Sequence, residues 1–344
     1  MRTIVAATLI LVGSSGLCRP AYTQSNEEGK PDTPNLRLYD VAPAQDQSSI
    51  PPEETEGYLR VTQADDDKQR LELIEDFLKK YPESRYAANF REWAVMRYQQ
   101  ENNYEKMVEH GEKLLELNPQ HLIMLTTLAN AHAIRGNADK AIDESSRAIS
   151  FLDKLVRPPN ADEAKWTAER DLYLAINYST LGSAHVTKFE EERKKKQNAG
   201  PETASGAEDS KPQAADRSQS ADRPAADSTP EAKPDTAAIQ LAKAYGYLTR
   251  SVELNPRSDF AQFQIGVVFA YQNQAAKAMD AFAKSVVLNG GLAEASRRNL
   301  EAIYKITHKN SLEGLDQLLA KAKESLGPLP ETPAPVSTSP TQPQ

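Results

Sequence analysis

Two segments far apart in this chain end in the same way. Residues 115–119 read LELNP and residues 252–256 read VELNP. The apolar residues around each segment recur at helical spacing, and a proline cannot continue the backbone hydrogen-bond ladder of an α-helix. Pro119 and Pro256 are therefore predicted to mark the ends of helices that occupy equivalent places in a repeated unit.

A constant period extends this equivalence along the chain. Tyr98 aligns with His132 and Ala244 aligns with Ala278, with the same separation in both pairs. Apolar and small residues that recur with a period of about 34 residues are typical of stacked helix-turn-helix units. The sequence therefore predicts an all-α chain built from helix pairs.

Small residues stand where the two helices of a pair should meet. Gly182 and Gly266 lack a Cβ at the predicted crossing points, and a missing Cβ lets two helix backbones approach closely. Ala141, Ala244 and Ala278 keep the opposite helix thin. We therefore expect these positions to be buried in tight helix contacts.

The same residues resemble a known family, the tetratricopeptide repeat. The segment IGVVFAYQNQAAKAMDAFAKSVVLN, residues 265–289, has its small, aromatic and apolar residues in the order of that repeat. The segment LGSAHV, from Leu181, is similar to the start of another unit. The resemblance implies a right-handed superhelical solenoid. EDFLKKYPESRYA near the start and LEAIYKITHKNSLEGLDQLLAKAKESLG near the end resemble exported bacterial members of the family.

A long insertion interrupts one repeat. Residues 197–235 contain no Leu, Ile, Val, Met, Phe, Tyr or Trp, so they are predicted to be disordered. We expect helix 162–195 to pair with helix 236–254 across this insertion, because the cost of closing a loop grows only slowly with its length. The predicted solenoid spans 57–326, with a leading pair, four repeats and a closing pair at 57–81, 84–119, 120–156, 161–254, 258–289 and 292–326.

The N-terminus has the layout of a secretory signal peptide. Arg2 precedes an apolar run at 4–12, which gives way to small residues. We predict a signal peptide at 1–23 and export to the periplasm or the medium. Residues 24–56 and the Pro-rich tail 327–344 are predicted to be disordered.

Cys18 is the only cysteine of the chain, which excludes an intramolecular disulfide. An alternative prediction is a lipoprotein that is anchored through acylated Cys18. Leu17 stands before it, where lipoprotein signals usually have a small residue. Without such lipidation, the sequence predicts no membrane anchor.

The sequence lacks the usual motifs of catalysis and of cofactor or metal binding. A net charge of -8, spread along the chain, argues against a nucleic-acid partner. His110, His121 and His132 follow at intervals of 11, but the repeat register places them on different parts of the unit, and no HExxH or cysteine pair is present. Asn177 begins a glycosylation sequon inside a predicted helix, where we interpret it as a chance match. We predict a non-catalytic protein without a cofactor or a metal.

The resemblance implies a binding groove lined by the first helix of each repeat. In register, the predicted groove residues are Met96, Gln99, Thr126, Asn130, Ser179, Ser183, Phe260, Phe263, Val267 and Tyr271. Phe260, Phe263 and Tyr271 could form an aromatic floor for a peptide or a helix. The alternative is that some of these rings pack against the closing pair at 292–326.

These features predict an exported scaffold that binds a protein or peptide of the bacterial cell envelope in its concave groove. The alternative is a structural spacer or assembly component of an envelope complex, which acts through the disordered insertion and the tail. Substitutions in the groove would abolish capture of the partner only in the first case.

Overall fold

The computed structural model describes residues 51–198 and 235–328, and these residues form twelve α-helices and no β-strand. The predicted signal peptide, most of residues 24–56, most of the insertion and most of the tail lie outside the described residues. The helices are α1 (Pro52–Thr62), α2 (Asp67–Lys80), α3 (Ala87–Gln100), α4 (Tyr104–Leu117), α5 (Leu122–Ile134), α6 (Ala138–Lys154), α7 (Glu163–Asn198), α8 (Thr236–Leu254), α9 (Asp259–Tyr271), α10 (Ala275–Leu288), α11 (Ala293–Thr307) and α12 (Leu315–Ser325).

The helices stack as a row of pairs. α3 packs on α4, α5 on α6, α7 on α8 and α9 on α10, and each pair contacts the next. The first helices also touch along one side, because α7 contacts both α5 and α9. The prediction of an all-α solenoid of helix pairs is confirmed. At the C-terminal end, α11 and α12 both pack against α10.

Three of the hairpin turns share one geometry. Asn102, Gly136 and Asn273 have φ values of 58°, 78° and 57°. The next residue in each turn donates a backbone hydrogen bond of 2.8 or 2.9 Å to the carbonyl five residues before it. This bond is the one that closes a Schellman motif, which requires a left-handed residue such as Gly or Asn. The chain therefore ends the first helix of these units by the same device.

The helix starts are capped by short polar side chains. Asp66 accepts a hydrogen bond from the Gln69 N–H at 2.8 Å, and Ser258 accepts one from the Ala261 N–H at 3.2 Å. Such caps satisfy an N–H group that the helix itself leaves without a partner. The equivalent helix starts Tyr104 and Ala138, and likewise Asp259 and Ala293, are separated by the period that the sequence predicts.

The close helix crossings form at the predicted glycines. A Cβ on Gly182 would lie 2.4 Å from Leu248 Cγ and 3.3 Å from the Ala244 carbonyl oxygen. A Cβ on Gly266 would lie 2.7 Å from the ring of Phe282. Ala244 and Leu248 are fully buried. These contacts confirm that the missing side chain permits α7 to pack on α8 and α9 to pack on α10.

Helix α7 joins two hydrophobic cores. Tyr173 and Leu174 belong to the core formed with the helices before it, while Val186 belongs to the core formed with the helices after it. With 36 residues, α7 is about 54 Å long at 1.5 Å per residue. It therefore extends well beyond the 13-residue first helices α5 and α9.

Candidate interaction surface

The first helices α3, α5, α7 and α9 form the side of the solenoid that the resemblance implies as the binding face. Helices α5, α7 and α9 lie next to each other in that order. Stacked helix pairs of this kind create extended surfaces that bind other proteins. We call this side the first-helix surface.

A buried hydrogen bond fixes α5 against α7. The Asn177 amide nitrogen donates to the Thr126 hydroxyl at 2.9 Å and to the Tyr173 carbonyl at 2.9 Å. Asn177 is 0% exposed, so its side chain is closed to glycosylation in the folded chain. The pair sets the register between two neighbouring first helices, because each polar group is desolvated and depends on its partner.

Two further hydrogen bonds connect α7 with α9. The Gln264 amide nitrogen donates to the Ser183 hydroxyl at 3.3 Å. The Tyr271 hydroxyl donates to Glu190 Oε1 at 2.6 Å. Burial and this bond to a carboxylate raise the pKa of the Tyr271 hydroxyl. Tyr271 therefore stays a donor at neutral pH and holds the C-terminal part of α7 against α9.

The ring of Tyr271 is enclosed by α7. The ring centroid of Phe189 lies 4.8 Å away, and the guanidinium carbon of Arg193 lies 5.1 Å from the Tyr271 ring. The aromatic and cationic contacts add to the hydrogen bond with Glu190. An extended α7 therefore engages this end of the first-helix surface.

The other two predicted aromatic residues differ in their surroundings. Phe263 packs edge-on against Phe282 of α10, with ring centroids 5.6 Å apart. Phe260 is partly exposed and, among the described residues, does not pack against the buried core of this half. The ring contacts of Phe263 and Tyr271 come from α10 and α7, whereas the alternative placed the closing pair against them. Phe260 is the aromatic side chain most available to a partner.

The predicted groove residues separate by burial. Thr126, Ser179 and Val267 are buried, so in this conformation they pack between helices and do not face a partner. Met96 on α3 is 44% exposed. The partly exposed members are Gln99, Asn130, Ser183, Phe260, Phe263 and Tyr271.

Sequence reasoning missed the residues of α7 and α9 that contact these positions. Glu190 and Gln264 bind predicted groove residues, and Phe189 packs on one. One signal was available, because Phe189 follows Val186 at a helical spacing of three. The repeat register alone gives no place to Glu190, since α7 continues beyond the length of an ordinary unit.

The histidines have separate roles in packing and capping. His110 binds Glu75 Oε1 through Nε2 at 3.1 Å. His132 Nδ1 lies 2.7 Å from the Tyr104 hydroxyl, and His121 Nδ1 accepts from the Met124 N–H at 3.3 Å. Within the two described ranges, no group of three or more His, Cys, Asp or Glu residues could hold a metal ion.

Across 51–198 and 235–328, none of the helices combines the length and the apolar character needed to span a bilayer.

Comparisons with known proteins give distant structural likenesses. Neither the protein-family models nor the curated proteins give a match. The chain is similar to the crystal structure of MamA at 13% identity and a TM-score of 0.40, covering 72% of this chain and 99% of that one. It is similar to TTC0263, a thermophilic TPR protein in Thermus thermophilus, at 16% identity and 0.39, covering 67% and 95%. PilF from Pseudomonas aeruginosa gives 12% identity and 0.36, covering 77% and 94%.

Likenesses this distant say nothing about what the chain binds. The fold follows from the chain's own geometry, in which paired helices, a constant repeat register and a shared turn hydrogen bond recur along the row. The chain is an all-α solenoid of tetratricopeptide-type helix pairs.

Proposed function

We propose that this chain is an exported, non-catalytic interaction scaffold that binds a protein or peptide of the cell envelope on its first-helix surface. The observation that carries the proposal is Phe260, a partly exposed aromatic residue at the start of α9. Aromatic side chains supply large contact area at interfaces and are enriched among the residues that dominate binding energy.

The surroundings of Phe260 favour an apolar segment as the ligand. Phe263 follows three residues later on the same helix, partly exposed and held by Phe282. The first helices contribute further polar side chains, Asn130 and Ser183, that are partly exposed. A few apolar anchors bordered by polar groups suit an extended peptide or one face of an amphipathic helix.

A second apolar contact lies at the other end of the row of first helices. Met96 on α3 is 44% exposed, and its flexible thioether side chain adapts to different apolar partners. Met96 and Phe260 are separated by α5 and α7, so a ligand that touches both residues would have to cross the first-helix surface. This arrangement supports a long ligand in preference to a small molecule.

The cellular place of this function rests on the sequence. The layout of residues 1–23 predicts a secretory signal peptide, and so a periplasmic or secreted protein, with a lipoprotein anchored through Cys18 as the alternative. An envelope protein is therefore the class of partner that the chain would meet.

Affinity capture from the producing cells tests the proposal. We would compare the tagged chain with Phe260→Asp and with a matched control, Ile239→Asp on the second helix α8, where Ile239 is 42% exposed. A charge placed at the contact should reduce the captured partner by at least about tenfold, which corresponds to 1.4 kcal/mol. The control should retain the partner.

The alternative of a spacer gives a different result in the same experiment. A partner that both aspartate variants retain, but that is lost when residues 199–234 or 329–344 are deleted, would move the contact to the insertion or the tail. That result would contradict binding on the first-helix surface.

A further inference from the structure

An apolar groove runs along the opposite side of the solenoid, between the second helices α8 and α10. Its α8 wall consists of Tyr245, Thr249 and Val252, and Ile265 and Phe269 of α9 form its floor. Ala281 of α10 lies on the other wall. We call this feature the α8/α10 groove, and it is independent of the first-helix surface.

The groove exposes aromatic surface. Tyr245 is 40% exposed, and its ring centroid lies 5.2 Å from that of Phe269. The Lys277 ammonium lies 5.2 Å from the centroid of the Phe269 ring. An exposed tyrosine beside a second ring, with a lysine at the edge, is the kind of surface that proline-rich segments bind.

Arg257 brings the end of the described chain to this groove. Its Nη2 donates to the carbonyl oxygens of Leu326, Gly327 and Pro328, at 3.3, 2.8 and 2.7 Å. Arg257 follows the last residue of α8, Leu254, by three positions. The chain beyond Pro328 therefore starts at the C-terminal end of α8, where the α8 wall of the groove also begins.

The segment that starts there has a suitable composition. Residues 329–344 read LPETPAPVSTSPTQPQ, with five prolines and with Leu329 and Val336 as larger apolar residues. We infer that this tail lies along the α8/α10 groove as an extended, polyproline-type segment that covers Tyr245 and Phe269. Prolines restrict the free chain in advance, so the entropy lost on docking is small.

The length of the tail fits the groove. From Val252 to Tyr245 the α8 wall rises about 10 Å at 1.5 Å per residue. A polyproline-type chain advances about 3.1 Å per residue, so about four residues follow this wall from end to end. The tail, which runs from 329 to 344, is several times longer than that. Because it is tethered at the mouth of the groove, its effective concentration there reaches the millimolar range.

The charges of the tail and the groove are complementary. The only charged side chain in 329–344 is that of Glu331. The groove presents Lys277 and Lys284, and Asp280 forms an ion pair with Lys284 at 2.8 Å. The insertion is a poorer occupant, since residues 199–234 contain none of the large apolar side chains that an apolar groove would bury.

Disulfide trapping in the full chain tests this docking. With Cys18→Ser as the background, Thr249→Cys in the groove is paired with Val336→Cys in the tail, and the rate of intramolecular disulfide formation is measured under mild oxidation. The control pair joins Val336→Cys to Lys321→Cys, an exposed position on α12 much closer along the chain. A tail that is not docked would favour the control pair, because the shorter loop closes more readily.

We expect the groove pair to form about tenfold faster than the control pair, and Tyr245→Ser to abolish that advantage. Since Tyr245 is largely exposed, this substitution should leave the fold intact, which circular dichroism can verify. A control pair that forms as fast as the groove pair would overturn the proposal. Faster trapping of Ser220→Cys in the insertion, or a disulfide-linked dimer through Thr249→Cys, would assign the groove to the insertion or to a second copy and would equally overturn it.

Discussion

Asn177 of α7 and Thr126 of α5 form a hydrogen bond of 2.9 Å in the buried seam between two first helices. Each residue belongs to a different helix pair, so the bond connects successive units of the solenoid. Asn177 Oδ1 is buried and has no hydrogen-bond partner among the described residues. The seam is therefore polar and closely matched, and it depends on both side chains.

A double-mutant cycle should detect this dependence. Thr126→Val leaves the Asn177 amide without one of its acceptors, and we expect it to lower the free energy of unfolding by about 1–3 kcal/mol. Asn177→Leu together with Thr126→Val should cost less than the sum of the two single changes, because neither then leaves a buried group without its partner. Urea unfolding measures all four proteins. Additive losses would show that the two residues do not interact.

Two helical glycines provide a matched test of the close crossing. A Cβ on Gly182 would overlap Leu248, whereas a Cβ on Gly246 of α8 meets nothing within 4 Å. Gly182→Ala should destabilise the chain by about 1–3 kcal/mol through overpacking. Gly246→Ala should stabilise it by about 0.5–1 kcal/mol, because alanine favours the helix. Thermal unfolding of both variants is the measurement, and equal effects would contradict the tight contact between α7 and α8.

Glu144 predicts a pH dependence of stability. Burial raises its pKa from 4.5 to about 8, so the folded chain holds a proton that the unfolded chain releases. The free energy of unfolding should therefore fall as the pH rises from about 4.5 to about 8, by linkage. The charged and titratable groups around Glu144 are His132, Lys140, Glu112, Asp143 and Arg147.

Glu144→Gln should remove this slope, because glutamine keeps the shape of the neutral acid and does not titrate. Burial lowers the pKa of His132, so its contribution has the opposite sign and is lost as the pH falls below 6.5. The exposed neighbour Asp143 gives the control, since Asp143→Asn should retain the slope. Urea unfolding between pH 5 and pH 9 measures the effect, and a slope unchanged in Glu144→Gln would contradict the assignment.

The bond between Tyr271 and Glu190 should hold the last turns of α7 in place. Tyr271→Phe removes the donor and keeps the ring against Phe189. We expect faster hydrogen exchange in residues 187–196, because local opening there loses a bond to a carboxylate worth about 1.5–3 kcal/mol when well buried. Exchange in α3 and α4 is the internal reference and should not change. Unaltered protection of 187–196 would show that the hydrogen bond contributes nothing to this end of α7.

The repeated pattern predicts most of the fold because it reflects local requirements of each unit. The close crossing at Gly182 and the register of α7 and α8 follow from residue size and spacing. Helix α7 ends at Asn198, three residues beyond the predicted 195. Residues 1–50, 199–234 and 329–344 lie outside the described residues, so the expectations about them stay predictions.

The candidate surface was harder to predict, because burial across helices depends on where α7 runs after it leaves the repeat register. The spacing places Tyr271 on the first-helix surface, but Phe189 and Glu190 come from an extension that a standard unit does not have. Thr126 and Val267 occupy groove positions of the family pattern, yet neighbouring first helices cover them. Phe260 keeps its predicted role as the available aromatic contact.

Phe260 also shapes the way in which binding is best tested. Truncation of Phe263 or Tyr271 would remove packing against Phe282 or Phe189, so a lost partner could reflect a disturbed fold. A substitution at Phe260 avoids that difficulty, because this side chain does not pack against the buried core of its half.

Site-specific photo-crosslinking in the producing cells is the most direct measurement. A photo-reactive phenylalanine analogue would replace Phe260 on the first-helix surface and, in a second protein, Ile239 on α8. We predict a crosslinked envelope protein from position 260 and none from position 239. Crosslinks of equal yield from both positions, or from position 239 alone, would contradict a binding site on the first helices.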